Sequence, residues 1–176
     1  LLAAHAPGSQ DALQPGDPAR RRLAYDELLA NQLALAMIRA AHQGRAGRAI
    51  VGDGRLRQAL ATALPYKLTQ GQEQVLGEIQ ADMAVQQRML RLLQGDVGSG
   101  KTIVALLAML GAVETGAQAA FMVPTEILAR QHFDTLTALC RDLPVRIQVL
   151  TGRSKGRPRQ ALLSDLADGQ IDILIG

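Results

Sequence analysis

The stretch RLLQGDVGSGKTIVALLAML, residues 91–110, decides the fold of this chain. Its central residues, GDVGSGKT at 95–102, match the pattern G-x-x-x-x-G-K-T of a phosphate-binding loop. The apolar run MLRLLQ at 89–94 predicts a strand before the loop. The residues after it predict a helix from Gly100 to about Thr115, ended by Gly116. A strand, a glycine-rich loop and a helix in this order are the setting in which the pattern binds phosphate.

Each residue type in the loop has a physical reason. Glycine lets backbone N–H groups approach a phosphate where a Cβ atom would obstruct them, and the helix directs its positive dipole end at the anion. Lys101 is placed to bind the β- and γ-phosphates and the Thr102 hydroxyl to bind Mg²⁺, which makes them the candidate catalytic residues. The alternative is a glycine-rich turn that binds nothing. The candidate nucleoside triphosphate contacts are Gly95, Asp96, Val97, Gly98, Ser99, Gly100, Lys101 and Thr102.

Short apolar runs alternate with helical segments over the rest of the chain. After the loop come AAFMV (119–123), a helix from Thr125 to about Arg141, VRIQVL (145–150), a helix at about 158–167, and IDILI (171–175). This alternation is typical of βα units, so it predicts an α/β fold with a parallel sheet covered by helices on both faces.

The region before residue 64 predicts helices and loops. Residues 1–19 are expected to be a loop or a cut end, and Asp17-Pro18 is expected to start a long helix capped by Gly44. A glycine-rich break and a shorter helix at about 55–64 follow. We therefore expect a helical connector at 20–63 and a nucleotide-binding segment at 64–176, whose first helix carries a capping box, Thr69-x-x-Gln72.

Composition narrows the possible functions. Two Phe, two Tyr and no Trp argue against nucleic-acid binding by aromatic stacking, while the net charge of +3 is compatible with contacts to a phosphate backbone. Cys140 is the only cysteine, so it is expected to be a small core residue in a reducing compartment. We find no signal peptide and no long apolar run, and both ends of the chain look cut.

Four motifs in order resemble those of superfamily 2 helicases, and most closely the RecG family of branch-migration helicases. They are LTQGQ (68–72), RLLQGDVGSGKT (91–102), PTEILARQH (124–132) and LTGRSKGRPR (150–159). The resemblance covers residues 64–176, and it implies a partial P-loop fold of the RecA-like type. RRRLAYDELLANQLAL at 20–35 also resembles the helical connector that joins the wedge domain of RecG to its motor.

The resemblance adds candidate sites, each with a plainer alternative. Gln72 would bind adenine through its amide, or serve only in the capping box. Pro124 and Thr125 would contact DNA phosphate, although capping the next helix by itself explains Thr125. His132 is expected to be an ordinary helix-face residue. The basic loop within the fourth motif would bind the DNA backbone, or would be a solvated loop. Its candidate residues are Thr151, Gly152, Arg153 and Lys155, with Arg157 and Arg159 beside them.

The resemblance implies an ATP-dependent DNA helicase or translocase that remodels stalled forks and Holliday junctions, with ATP and Mg²⁺ as cofactors. It also implies branched double-stranded DNA as partner, a monomer, no membrane partner and a bacterial cytoplasmic location. The Asp-Glu-x-His motif and the arginine finger of such motors do not occur here, so we expect negligible ATP hydrolysis from this segment alone. The alternatives are a transcription-repair coupling factor, a metabolic P-loop kinase and a scaffold with a fossil loop.

Overall fold

The computed structural model describes Gln14, residues 16–43 and residues 46–176. Residues 1–13 of the expected terminal loop and the predicted helix cap Gly44 lie outside the described residues. The helices are α1 (Pro18–Gln43), α2 (Arg55–Ala63), α3 (Gln70–Met83), α4 (Lys101–Val113), α5 (Glu126–Leu139) and α6 (Gly156–Ala167). The strands are β1 (Ala119–Phe121), β2 (Ile147–Val149) and β3 (Ile173–Ile175).

The chain forms two compact units. The described part of the first contains α1, the residues up to Ala46, and Arg88–Leu90. The second contains Gly47–Gln87 and Arg91–Gly176. Helix α1 begins at Pro18 as predicted, because Asp17 Oδ1 accepts hydrogen bonds from the N–H groups of Ala19 and Arg20 at 2.9 and 3.1 Å.

The sheet of the second unit is parallel, in the order β1-β3-β2. Ile173 of β3 aligns with Ala119 on one side and with Ile147 on the other. The strands are short, yet each is followed or preceded by the helix that the sequence predicts. The predicted α/β architecture with a parallel sheet is confirmed.

The core forms where α4 meets the sheet and its neighbouring helices. Residues on several sides of α4 are buried, as expected for a helix between other elements. Helix α2 packs on α4 with Leu56 and Leu60, and α3 packs on it with Ile79. The side chains with the least exposure are Leu60, Leu106, Leu107, Leu110, Leu136, Ile173 and Ile175.

A buried ion pair fastens α2 to the end of α4. The Glu114 side chain has 0% exposure, and its carboxylate accepts hydrogen bonds from the N–H groups of Gly54, Leu56 and Arg57 at 2.8–3.0 Å. The Arg57 guanidinium adds Nε at 3.1 Å and Nη2 at 3.1 Å. A Cβ atom on Gly52 would collide with Glu114, so the chain needs glycine at this crossing.

The predicted strand at 89–94 is wrong. These residues form no strand, and no strand lies beside them among the described residues. A strand requires a neighbour to receive its hydrogen bonds, and here Leu90 and Leu92 remain 63% and 85% exposed. Leu93 alone in this run packs partly against the core. The apolar run at 89–94 led us to expect a buried strand, but no neighbouring strand among the described residues covers it.

Cys140 confirms its prediction as a core residue. It is 4% exposed, and burial raises the pKa of its thiol to about 11. The thiol is therefore protonated and unreactive at neutral pH. Within the described part of the chain, no helix combines the length and apolarity needed to cross a bilayer.

Candidate functional site

The phosphate loop leads into the N-terminus of α4 as predicted. Gly98 and Gly100 have φ values of 83° and 81°, in the left-handed region that favours glycine. A Cβ atom on Gly95 would lie 2.9 Å from Ser99 Oγ, and one on Gly100 would collide with Gln72 Nε2. The glycines at these three positions are therefore required by backbone conformation and by space.

Lys101 places its ammonium inside the curve of the loop. Its Nζ donates to the carbonyl oxygens of Gly95 at 2.7 Å and Asp96 at 2.6 Å. These neutral partners leave the positive charge uncompensated. The long side chain is thus held at the loop, where a phosphate would meet it.

Several donors at the loop have no protein acceptor among the described residues. They are the N–H groups of Gly98, Gly100, Lys101 and Thr102 and the hydroxyl of Thr102. Donors aimed from a helix N-terminus, a lysine and room for a close approach are what a triphosphate requires. The loop residues therefore fit the phosphates of a nucleotide, and the Thr102 hydroxyl is available to a bound Mg²⁺.

The described residues offer a metal ion little else. No group of three or more His, Cys, Asp or Glu side chains among them is arranged to hold one. Among the described residues, the Thr102 hydroxyl is the candidate Mg²⁺ ligand that the phosphate loop offers.

Gln72, in the first turn of α3, connects this helix to the phosphate loop. The capping box is confirmed: the Thr69 side chain accepts from Gln72 N, and Gln72 Oε1 accepts from Thr69 N at 2.9 Å. The same side chain donates from Nε2 to Ser99 O at 2.9 Å. A cavity of ≈ 220 Å³ lies here, lined by Gln72, Val75, Gly95, Ser99 and Lys101 among others. The amide has to exchange these partners before it can bind adenine, so that role stays a prediction.

A second concave region brings together the two predicted DNA-contact motifs. Pro124 and Thr125 follow β1, and Thr151 and Gly152 follow β2, around a groove of ≈ 440 Å³. Thr125 caps α5, accepting from Leu128 N at 3.3 Å, as predicted. Arg159 from α6 also lines the groove. We call this region the edge groove, after the carboxyl edge of the sheet on which it lies.

The four cations of the predicted basic loop differ in their contacts. Arg153 pairs with Glu126, Nε to Oε2 at 2.9 Å, although its side chain is 77% exposed. Lys155, Arg157 and Arg159 are exposed, and their side chains make no hydrogen bond or ion pair with any other described residue. The predicted basic loop ends at Lys155, because Arg157 and Arg159 lie in the first turn of α6, and three of these four cations are available to an anion.

Sequence reasoning missed Glu126. An acid in the first turn of a helix is normally explained by the helix dipole, and its partner Arg153 is 27 residues away. No local pattern in the sequence joins the two. His132 makes an edge contact with Phe121, with ring centroids 5.0 Å apart, which agrees with its expected place on a helix face.

Comparison with known families identifies the class of protein. The family described as DEAD/DEAH box helicase matches residues 69–176, which include the capping-box helix, the phosphate loop and the edge groove. The chain belongs to this family.

Within the family, the relatives are RecG helicases. ATP-dependent DNA helicase RecG of Bacillus subtilis is 46% identical over 178 residues, covering 100% of this chain and 26% of the relative. The protein of the same name from Thermotoga maritima is 42% identical over 160 residues, covering 91% and 20%. The predicted resemblance to RecG is confirmed, and the chain spans about a quarter of the length of these curated relatives.

A solved structure agrees with the fold. A structure described as RecG bound to a three-way DNA junction matches with a TM-score of 0.80 and 43% identity. The match covers 90% of this chain and 22% of that one.

Proposed function

We propose that the chain is the ATP-binding part of a DNA helicase or translocase that remodels branched DNA, such as stalled forks and Holliday junctions. The observation that carries this proposal is the loop at the start of α4. There Lys101 Nζ lies 2.7 and 2.6 Å from two loop carbonyl oxygens, and the neighbouring N–H groups have no acceptor in the part of the protein that the structure describes. Membership of the DEAD/DEAH box helicase family gives this loop its context.

The chain's own residues would divide the work of holding a nucleotide. The loop N–H groups and Lys101 bind the phosphates, Thr102 holds Mg²⁺, and Gln72 reads the adenine edge. When bound, the nucleotide supplies the free energy of phosphoanhydride hydrolysis. Because the Gln72 amide donates to Ser99 O, a rearrangement of this amide would break a hydrogen bond to the phosphate loop.

The edge groove supports DNA as the second ligand. Thr125 and the N-terminus of α5 supply neutral donors, Arg159 in the lining supplies positive charge, and Arg153 and Lys155 add positive charge on the adjoining loop. Such groups bind the phosphate backbone without reading bases, which suits an enzyme that recognises DNA by shape. RecG bound to a three-way junction supports a branched substrate.

The alternatives are less well supported. A transcription-repair coupling factor shares the phosphate loop, but the relatives at 38–46% identity that cover most of this chain are RecG helicases. A metabolic kinase has no use for the third motif, PTEILARQH at 124–132, or for the edge groove. We propose a bacterial cytoplasmic location, since the relatives are bacterial. The monomeric state remains a prediction.

Nucleotide binding by two variants tests the proposal. Titration calorimetry with an ATP analogue and Mg²⁺ should show that Lys101→Ala loses measurable affinity, because the loop loses its only lysine charge. Lys155→Ala removes the same charge from the basic loop before α6 and is the matched control, which should bind the analogue like the unaltered chain. Unchanged affinity in Lys101→Ala would remove the loop from the nucleotide site.

A further inference from the structure

Glu126 lies between the two loops that border the edge groove. It is the first residue of α5, and its Oε1 accepts a hydrogen bond from Arg153 N at 3.1 Å. Its Oε2 lies 2.9 Å from Arg153 Nε. One carboxylate therefore fixes both the backbone and the side chain of Arg153.

The strand order explains why a side chain is needed to join these loops. Because β3 lies between β1 and β2, the loops after β1 and β2 start two strand spacings apart, roughly 10 Å. Each loop is bonded to β3 instead: Val123 N donates to Gly176 O and Leu150 N donates to Ile175 O, both at 2.8 Å. Among the described residues, Glu126 supplies the direct polar link from one loop to the other.

Gly152 makes room for this link. A Cβ atom there would lie 3.0 Å from Glu126 Oε1, which is closer than side chains ordinarily pack. The φ of Gly152 is outside the left-handed region, so backbone conformation does not require glycine. The glycine therefore serves the close approach of the carboxylate to the Arg153 N–H.

The sign of the charge is the unexpected feature. Glu126 is an acid in a groove whose other charged lining residue is Arg159, and the loop that follows Gly152 adds the cations Arg153 and Lys155, which suit a polyanion. By electrostatics alone, an acid here weakens DNA binding. By geometry, it orders the loop that carries the cations.

We infer that Glu126 is a positioning residue, which holds Arg153 and the turn at residues 151–154 in the arrangement that receives the DNA backbone. This inference rests on the proposed DNA-binding function. The geometric contribution outweighs the repulsion, because the carboxylate charge is already neutralised by Arg153, and an unordered loop would have to be immobilised on binding.

Affinity for a fluorescent three-way DNA junction tests the inference, using the protein at its full natural length. Glu126→Ala should bind ~3- to 10-fold more weakly, with a shallower salt dependence because Arg153 no longer meets its phosphate. Glu126→Gln keeps an oxygen for the Arg153 N–H and should fall between. Asp134→Ala removes an exposed acid from the same helix outside the groove and should leave binding unchanged. Equal or tighter binding by Glu126→Ala overturns the inference.

A double-mutant cycle separates positioning from a general loss of structure. If Glu126 acts through Arg153, the protein with both Glu126→Ala and Arg153→Ala should bind no more weakly than the one with Arg153→Ala alone. Losses that simply add would contradict the inference, since Glu126 would then act by another route. Equal melting temperatures of the variants verify that each is folded.

Hydrogen exchange without DNA distinguishes failure of this inference from failure of the proposed function. The amide of Arg153 should exchange faster in Glu126→Ala than in the unaltered protein, because it has lost its acceptor. If the unaltered protein bound no junction, the proposed function would fail. The exchange rate of the Arg153 amide would still decide whether Glu126 orders the loop. Unchanged exchange at Arg153 would overturn the inference by itself.

Discussion

At the scale of single residues, Glu114 and Arg57 form the least exposed ion pair in the described part of the chain. Burial raises the pKa of Glu114, but the backbone N–H groups of Arg57 and Gly54 and the Arg57 guanidinium together lower it below its ordinary value. An acid at the C-terminal end of a helix is unfavourable for the helix dipole. Glu114 is tolerated there because it caps the start of α2 instead.

Glu114→Gln should destabilise the protein by about 3 kcal/mol near neutral pH, because Arg57 would lose its partner in a buried site. The folded-state pKa of Glu114 is depressed, so its stabilisation is complete above the unfolded-state pKa and is lost as pH falls through the folded-state pKa. Urea unfolding at several pH values should therefore show the two proteins converging in acid. Asp165→Asn, an exposed acid without a side-chain partner in the described region, is the control and should change stability by less than about 0.5 kcal/mol. A Glu114→Gln deficit that did not shrink in acid would contradict this account.

At the scale of elements, the N-terminus of α3 is joined to the phosphate loop. The Gln72 side chain takes part in the capping box and also contacts Ser99 O, so the helix start and the loop share one amide. The two ends of α4 are likewise occupied by different tasks. The phosphate loop leads into its N-terminus, and Glu114, the residue that follows its last residue Val113, holds α2.

Thr69→Ala should cost about 1 kcal/mol of stability, since α3 loses the side chain that accepts from the Gln72 N–H. Chemical denaturation measures this loss. Thr62→Ala is the matched control, because the Thr62 hydroxyl only donates to Gln58 O on an exposed helix face, and its removal should be close to neutral. Equal effects of the two substitutions would show that the cap does not stabilise α3.

At the scale of the whole molecule, one unit carries both the phosphate loop and the edge groove. Helix α4, which starts at the loop, packs on β1, and β1 leads directly to Pro124 and Thr125. The parallel sheet places the loops after β1 and β2 at one edge, where Glu126 connects them. The proposed nucleotide and DNA contacts are therefore carried by successive elements of one core.

The steady-state ATPase rate of the protein at full natural length should rise more with forked DNA than with linear duplex of equal length. The physical reason is that a fork presents the branched backbone on which the proposed motor acts. A linear duplex would engage only part of the DNA-binding residues. Lys101→Ala should abolish both rates, which provides the background measurement. Equal stimulation by the fork and the duplex would argue against remodelling of branched DNA as the function.

The sequence by itself determined the order of helices and the phosphate loop, because glycine positions, caps and apolar periodicity are local properties of the chain. The four motifs likewise indicated the family before any packing was known. The tertiary structure decided what depends on residues far apart in sequence. It left residues 89–94 without a strand partner, engaged both polar groups of the Gln72 amide, and brought Glu126 to Arg153 and Glu114 to Arg57. Such contacts arise from the strand order β1-β3-β2 and from the packing of α2 on α4, which no local pattern encodes.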